Sequence, residues 1–162
     1  MLKLYDLASP SKRYWETWEN EDSSHIVHWG PLGERGETKT VKAGLFRRAT
    51  KKIQSEIDSM LEAGFHPIAD EDHHIVLIEY EVNGFGTEAD LDKRHQLEHR
   101  MNQTLGWTGL GHCDGGSIGS GTMEACCYVV DVELAFDVIK ADLKGTEFAD
   151  YTRIFKEGAG DA

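Results

Sequence analysis

The sequence predicts an α+β protein made of two small domains, and three observations support this prediction. The 162 residues are 40% apolar, which is enough for a packed core. Short strand-like and helix-like patterns alternate along the chain. The charge is uneven: residues 1–68 carry ten basic and ten acidic side chains, whereas residues 69–162 carry seven basic and nineteen acidic ones and hold the whole net charge of −12. We therefore predict a domain at 1–68, an acidic linker at 69–73 and an acidic domain at 74–158.

The first domain is predicted to begin with strands. Residues 3–7 have an extended pattern, and "RYWETWEN" at 13–20 alternates polar with apolar residues and is rich in aromatics. "HIVHWG" at 25–30 predicts a further strand after the turn "EDSS". "PLGERG" then predicts a loop, and the β-branched residues of "ETKTVKA" at 37–43 favour another strand.

A helix is predicted over about residues 45–63, where apolar side chains recur at spacings of three and four. These side chains are Leu45, Ala49, Ile53, Ile57 and Met60. Gly64 follows at the place where a helix commonly ends on glycine. Pro67 and the acidic run "DEDHH" after it predict the linker.

The second domain is predicted to have the element order β-α-β-β-α-β of a ferredoxin-like sandwich. Thr87 is the expected cap of its first helix, since acidic residues follow it at the positive helix end. Helices are predicted at about 88–105 and 132–143. Strands are predicted at 74–82, within 109–119, at 122–131 and at 149–157.

Three stretches of the first domain together resemble a WGR domain, a family named for its Trp-Gly-Arg signature. They are "RYWETWE", "VHWGPLGERGETKT" and a helix that ends in "MLEAGFHP", and they cover about residues 3–66. The resemblance implies a small antiparallel sheet with one helix packed on a face. WGR domains are best known from poly(ADP-ribose) polymerases, where they help to recognise DNA ends. Pro31 stands where the signature has arginine, and proline brings neither charge nor donor.

The resemblance implies that Trp29 lies against the sugar-phosphate backbone near a DNA end. Arg35 in the same loop is a candidate to replace the missing arginine. The sequence adds a separate signal, because six basic and no acidic side chains occur between Thr38 and Ser55, a pattern typical of phosphate-binding surfaces. The predicted nucleic-acid-binding residues are Trp29, Arg35, Lys39, Lys42, Arg47, Arg48, Lys51 and Lys52.

Two other interpretations stay open. The basic face of the helix is also what any solvated helix presents, and the chain would then be a protein–protein interaction adaptor that has lost DNA binding. In addition, "HQLEH" at 95–99 matches the H-x-x-E-H pattern of metal sites, which would make the chain a metal-dependent hydrolase using His95, Glu98 and His99. Their helical positions place both histidines away from the core-facing stripe, which speaks against that reading.

We expect a non-catalytic binding protein without a cofactor. The glycine-rich stretch at 109–121 lacks the lysine of a phosphate-binding loop. Three cysteines in a chain without a signal-like start indicate free thiols and a cytoplasmic location. No apolar run approaches the roughly 20 residues needed to cross a bilayer, so no membrane contact is expected.

Overall fold

The computed structural model of the protein describes residues 1–42 and 49–158, and it confirms the predicted α+β class. Within these residues the chain forms two four-stranded antiparallel sheets and three α-helices. None of the described helices has the length and apolar character that crossing a membrane demands.

The first sheet is an antiparallel meander in the order β1-β2-β3-β4. Its strands are β1 (Leu2–Asp6), β2 (Arg13–Glu19), β3 (His25–Pro31) and β4 (Glu37–Val41). Each strand falls within a residue or two of its predicted position. Strands β2 and β3 pair so that Trp15 lies opposite Trp29.

Helix α1 (Ala49–Glu62) packs against one face of this sheet and buries Ile53 there. The first part of the predicted helix, with Leu45, lies outside the described residues. Gly64 adopts φ +93°, as a glycine that ends a helix does. Phe65 donates its N–H to the Met60 carbonyl at 3.0 Å, which closes the helix end.

The second sheet has the order β6-β7-β5-β8 and is also fully antiparallel. Its strands are β5 (His74–Glu81), β6 (Gly111–Gly119), β7 (Thr122–Val129) and β8 (Arg153–Lys156). The weakly marked strand within 109–119 is therefore present, with a bulge between Cys113 and Gly116. Strand β8 is shorter than predicted, because turns occupy the residues before it.

Helices α2 (Glu88–Trp107) and α3 (Val132–Leu143) cover one face of the second sheet. Thr87 and Asp90 form a reciprocal capping box at the start of α2, as the sequence indicated for Thr87. Asp131 caps α3 by accepting the Leu134 N–H at 3.0 Å. The predicted linker contains a short 3-10 helix at Asp70–Asp72.

The two faces of the first sheet pack against different parts of the molecule, since adjacent strand residues point to opposite sides. Trp15 and Val27 point to α1 and form a small core with it. Tyr14 points the other way and joins the core of the second sheet. Gly109 packs closely against Tyr14, because a Cβ added there would lie 2.2 Å from the Tyr14 ring. Gly33 also donates its N–H to the Thr108 carbonyl at 2.9 Å.

The two sheets therefore meet through a shared core. Lys12 of the first part forms an ion pair with Asp131 of the second. The division into two domains, with boundaries at 68 and 74, stays a prediction from the sequence.

Candidate functional site

Trp29 lies on the face of the first sheet that packs against α1, and it borders a cleft of about 490 Å³. Its side chain is half-buried and packs against the small core formed with the helix. Met60 and Phe65 supply apolar walls, and Ser55 and Ser59 of α1 supply hydroxyl groups. We call this the Trp29 cleft.

Lys39 lies over the Trp29 ring, with its Nζ 5.5 Å from the ring centroid. The same Nζ is 2.9 Å from Oε2 of Glu56 on α1. Lys39 has a 46% exposed side chain and Glu56 a 31% exposed one, so water screens this ion pair strongly. The ion pair therefore contributes little to the stability of the fold.

Arg13 is a second cation of the Trp29 cleft, and the sequence reasoning missed it. It is exposed and stands directly opposite Pro31 in the pairing of β2 with β3. An arginine thus reaches the neighbourhood of position 31 from the adjacent strand. The sequence contained one signal that could have identified Arg13, the register of the predicted hairpin. If the turn is centred on Asp22, Arg13 pairs with Pro31.

Arg35 does not share the Trp29 cleft. Its guanidinium carbon lies 5.5 Å from the centroid of the Trp107 ring. Trp107 belongs to α2 and contacts His28, which points to the face of the sheet opposite Trp29. The two residues that the sequence reasoning combined are therefore on opposite sides of the first sheet.

Of the other basic residues predicted to bind nucleic acid, some lie in the part of the chain that the structure describes and some do not. Lys42, Lys51 and Lys52 are all exposed. Lys52 donates to the Lys42 carbonyl at 3.4 Å, which links the start of α1 to the end of β4. Arg47 and Arg48 lie outside the described residues.

The H-x-x-E-H pattern lies on α2 in an arrangement unsuited to metal binding. His95 and His99 are exposed, and Glu98 is held by Arg94 at 2.6 Å. Among the described residues, no group of three or more His, Cys, Asp or Glu side chains is placed to hold a metal ion. The hydrolase interpretation has no supporting geometry in this part of the chain.

A second cavity, of about 710 Å³, lies between the two sheets, and we call it the inter-sheet cavity. The first sheet contributes Lys3, Glu16 and His28, and the second part of the chain contributes Trp107 and His112. No sequence pattern indicated this cavity, because its walls come from segments far apart in the chain.

Four polar side chains of the first sheet form a continuous chain of contacts, and three of them, Lys3, Glu16 and His28, line the inter-sheet cavity. Tyr14 Oη is 2.9 Å from His28 Nε2, and His28 Nδ1 is 2.7 Å from Glu16 Oε1. Lys3 Nζ is 3.4 Å from Glu16 Oε2. A carboxylate only accepts, so His28 carries a proton on Nδ1, and in the neutral ring Nε2 accepts from Tyr14. Both oxygens of Glu16 are thus engaged.

Burial changes the acid–base behaviour of these side chains. It raises the pKa of Tyr14 to about 12, since the phenolate would be poorly solvated. It also lowers the pKa of Lys3, an effect that the nearby Glu16 carboxylate opposes. On the facing wall, burial and repulsion by His73 lower the pKa of His112.

Comparison with known proteins adds no family. The chain matched no family model, no curated protein and no solved structure. The resemblance to WGR domains therefore stays a prediction carried by the residues quoted for it.

Proposed function

We propose that the chain binds nucleic acid ends through the Trp29 cleft, with Trp29 as the aromatic surface and Arg13 and Lys39 as phosphate contacts. The observation that carries this proposal is the placement of two exposed cations beside a half-buried tryptophan in a single cleft. Surfaces that bind nucleic acid without base readout combine these two elements. The WGR resemblance supports the same residue, Trp29, from the sequence.

Each part of the cleft has a defined task in this proposal. A base at a strand end stacks on an aromatic ring with a gain of about 1–3 kcal/mol, and stacking does not depend on base identity. Arg13 offers a planar fork of donors that matches a phosphate. Lys39 leaves Glu56 and contacts the backbone as the ring of Trp29 becomes covered.

Arg13 replaces, in this proposal, the arginine that is missing at position 31. The proline removes the signature arginine from β3, yet Arg13 stands opposite it on β2. A guanidinium is thus supplied from the neighbouring strand. Lys42, Lys51 and Lys52 extend the cationic surface around the start of α1.

A second candidate function, protein binding, is favoured by β4. This strand is the edge of the first sheet, and its residues from Glu37 to Thr40 are exposed. An exposed edge strand accepts an extended peptide by adding a strand to the sheet. The two functions differ in salt dependence, because backbone hydrogen bonds to a peptide are far less sensitive to ionic strength than phosphate contacts.

The test is the binding of a labelled blunt-ended DNA duplex to the full chain over a range of salt concentrations. We expect affinity to fall steeply with salt, and a closed circular duplex to compete poorly because it has no ends. Arg13→Ala should weaken binding and lower the salt slope by about one. Lys144→Ala, which removes an exposed cation beyond α3, is the matched control and should leave both unchanged.

Three outcomes decide the proposal. Trp29→Phe should retain binding, since it keeps an aromatic ring, whereas Trp29→Leu should lose it with the fold preserved. Equal binding by wild type, Arg13→Ala and Trp29→Leu would place the DNA elsewhere. No salt-dependent binding by the wild type would refute the proposal and favour the protein-binding candidate.

A further inference from the structure

We propose that the inter-sheet cavity binds a small aromatic carboxylate, with its carboxylate between Lys3 and His112 and its ring beside Trp107. This site is independent of the Trp29 cleft, because it lies on the opposite face of the first sheet. Its volume of about 710 Å³ is in the range of small-molecule sites. Exposed Met1 and Gln103 are among its lining residues, so the cavity reaches the surface.

Lys3 is the group that selects an anion. Its side chain is only 16% exposed, yet among the described residues its one carboxylate partner is Glu16, at 3.4 Å. Glu16 is shared, because His28 takes its other oxygen at the shorter distance of 2.7 Å. An ammonium group has three N–H donors, so Lys3 keeps donors for a ligand. A carboxylate is the partner that a poorly solvated ammonium gains most from.

The facing wall adds a second positive group when it is protonated. His112 lines the same cavity and stacks on Tyr128 at a centroid distance of 5.2 Å. Burial is the main cause of the lowered pKa of His112, and the positive charge of Lys3, which lines the same cavity, adds a small contribution in the same direction. An anion between them removes that repulsion and gains a contact from each side.

The acidic groups of the cavity do not make it a cation site. Both oxygens of Glu16 are engaged, by His28 and by Lys3. Asp70 is exposed on the 3-10 helix, and its charge only partly offsets the burial that lowers the pKa of His112. The positive charge of Lys3 would repel a ligand amine, whereas it would form an ion pair with a ligand carboxylate.

The shape of the walls favours a flat ligand. Trp107 contributes an indole that meets His28 edge-on at 4.9 Å, and Trp18 and Tyr5 line the cavity from the first sheet. Aromatic walls prefer flat rings, which bury much area and make edge or offset contacts. Leu2 and Ile68 complete an apolar lining around the charged groups.

The test uses three probes of the same size on the full chain: benzoate, benzamide and benzylamine. Binding is followed by NMR, through the indole N–H of Trp107 and the ring signals of His112. We expect saturable shifts of both residues with benzoate, and affinities at least about tenfold weaker for neutral benzamide and cationic benzylamine. Equal binding of benzoate and benzamide would overturn the anion assignment, and tighter binding of benzylamine would reverse it.

Variants then assign the binding to Lys3. Lys3→Met should weaken benzoate binding about tenfold or more, as expected for a lost charge-assisted contact, and Lys3→Arg should retain it. The Trp29 indole signal is the internal control and should not move. Absence of saturable binding of benzoate by the folded wild type overturns the proposal while leaving DNA binding untouched, so the failures of the two proposals are distinguishable.

Discussion

The two faces of the first sheet hold their charged groups in opposite ways. On the α1 face, Lys39 and Glu56 form a partly exposed pair, and Arg13 stands exposed beside Trp29. On the other face, Glu16 and His28 are buried and joined at 2.7 Å. A buried ionic group is costly unless every partner is present, whereas an exposed pair contributes little. The first face is therefore free to exchange partners, and the second is fixed.

This difference has a consequence for function. The nucleic-acid binding that we propose for the Trp29 cleft would release the Lys39–Glu56 pair, which contributes little to stability. A cavity that binds a small molecule needs groups already held in position, which the chain from Tyr14 through His28 to Glu16 provides. The same sheet thus offers one adaptable and one preorganised surface.

The largest expected effect is a loss of stability, and it tests the buried groups on the inter-sheet face of the first sheet. Glu16→Ala leaves His28 and Lys3 without their carboxylate in a buried site, and we expect a loss of about 3 kcal/mol in the free energy of unfolding. Glu19→Ala on the same strand removes an exposed carboxylate and should cost less than about 0.5 kcal/mol. Chemical denaturation measures both. Equal losses in the two variants would show that the buried chain adds no stability.

The next effect tests the contact between the sheets. In Gly109→Ala the new methyl group would lie 2.2 Å from the Tyr14 ring at a backbone φ of +73°. Gly145 has nearly the same φ, +74°, with nothing within 4 Å of an added Cβ, so Gly145→Ala reports backbone strain alone. We expect Gly109→Ala to lose about 2 kcal/mol more than Gly145→Ala. A difference near zero in thermal or chemical unfolding would mean that the sheets separate easily.

A further effect appears only at alkaline pH. The pKa of Tyr14 is raised from 10.0 to about 12, so its folded form holds the phenol proton more tightly than the unfolded chain does. The resulting stability is complete below pH 10 and is lost as pH rises from 10 to 12. Tyr5 and Tyr80 are raised as well, so the measurement is the difference between wild type and Tyr14→Phe. The two stability curves should converge across that window, and parallel curves would contradict the assignment.

The smallest expected effect is a gain in DNA affinity, and it tests the α1 face of the first sheet. Glu56→Gln removes the carboxylate that holds Lys39 and that repels a phosphate in the cleft. We expect DNA affinity to rise about threefold to tenfold at low salt, with stability unchanged. Glu62→Gln, an exposed carboxylate at the end of the same helix and outside the cleft, is the control for the change in net charge. A gain of the same size in both variants would mean that Lys39 has no particular role.

Local pattern was sufficient to predict most elements of the fold. Alternation predicted β2 and β3, the spacing of apolar residues predicted the helices, and Thr87 marked the start of α2. Each of these signals lies within a few residues along the chain. The α+β class follows from their order alone.

The two sites were only partly predictable, because they depend on how distant segments meet. Trp29 and Lys39 were predicted from the resemblance and the basic stretch, whereas the proposed role of Arg13 depends on the strand register. Glu16 and His28 look like ordinary polar positions of alternating strands, which normally face water. Nothing in their own segments shows that Trp107, roughly 80 to 90 residues away in sequence, covers them.

One NMR experiment tests the division between the two faces most directly. The indole N–H signals of Trp29 and Trp107 report on the α1 face and on the inter-sheet face respectively. A blunt-ended DNA duplex is added to the full chain at low salt. We predict that the Trp29 signal shifts in a saturable and salt-sensitive way while the Trp107 signal stays in place. A shift of Trp107, which lies beside Arg35, with Trp29 unmoved would contradict it and move the nucleic-acid contact to the opposite face.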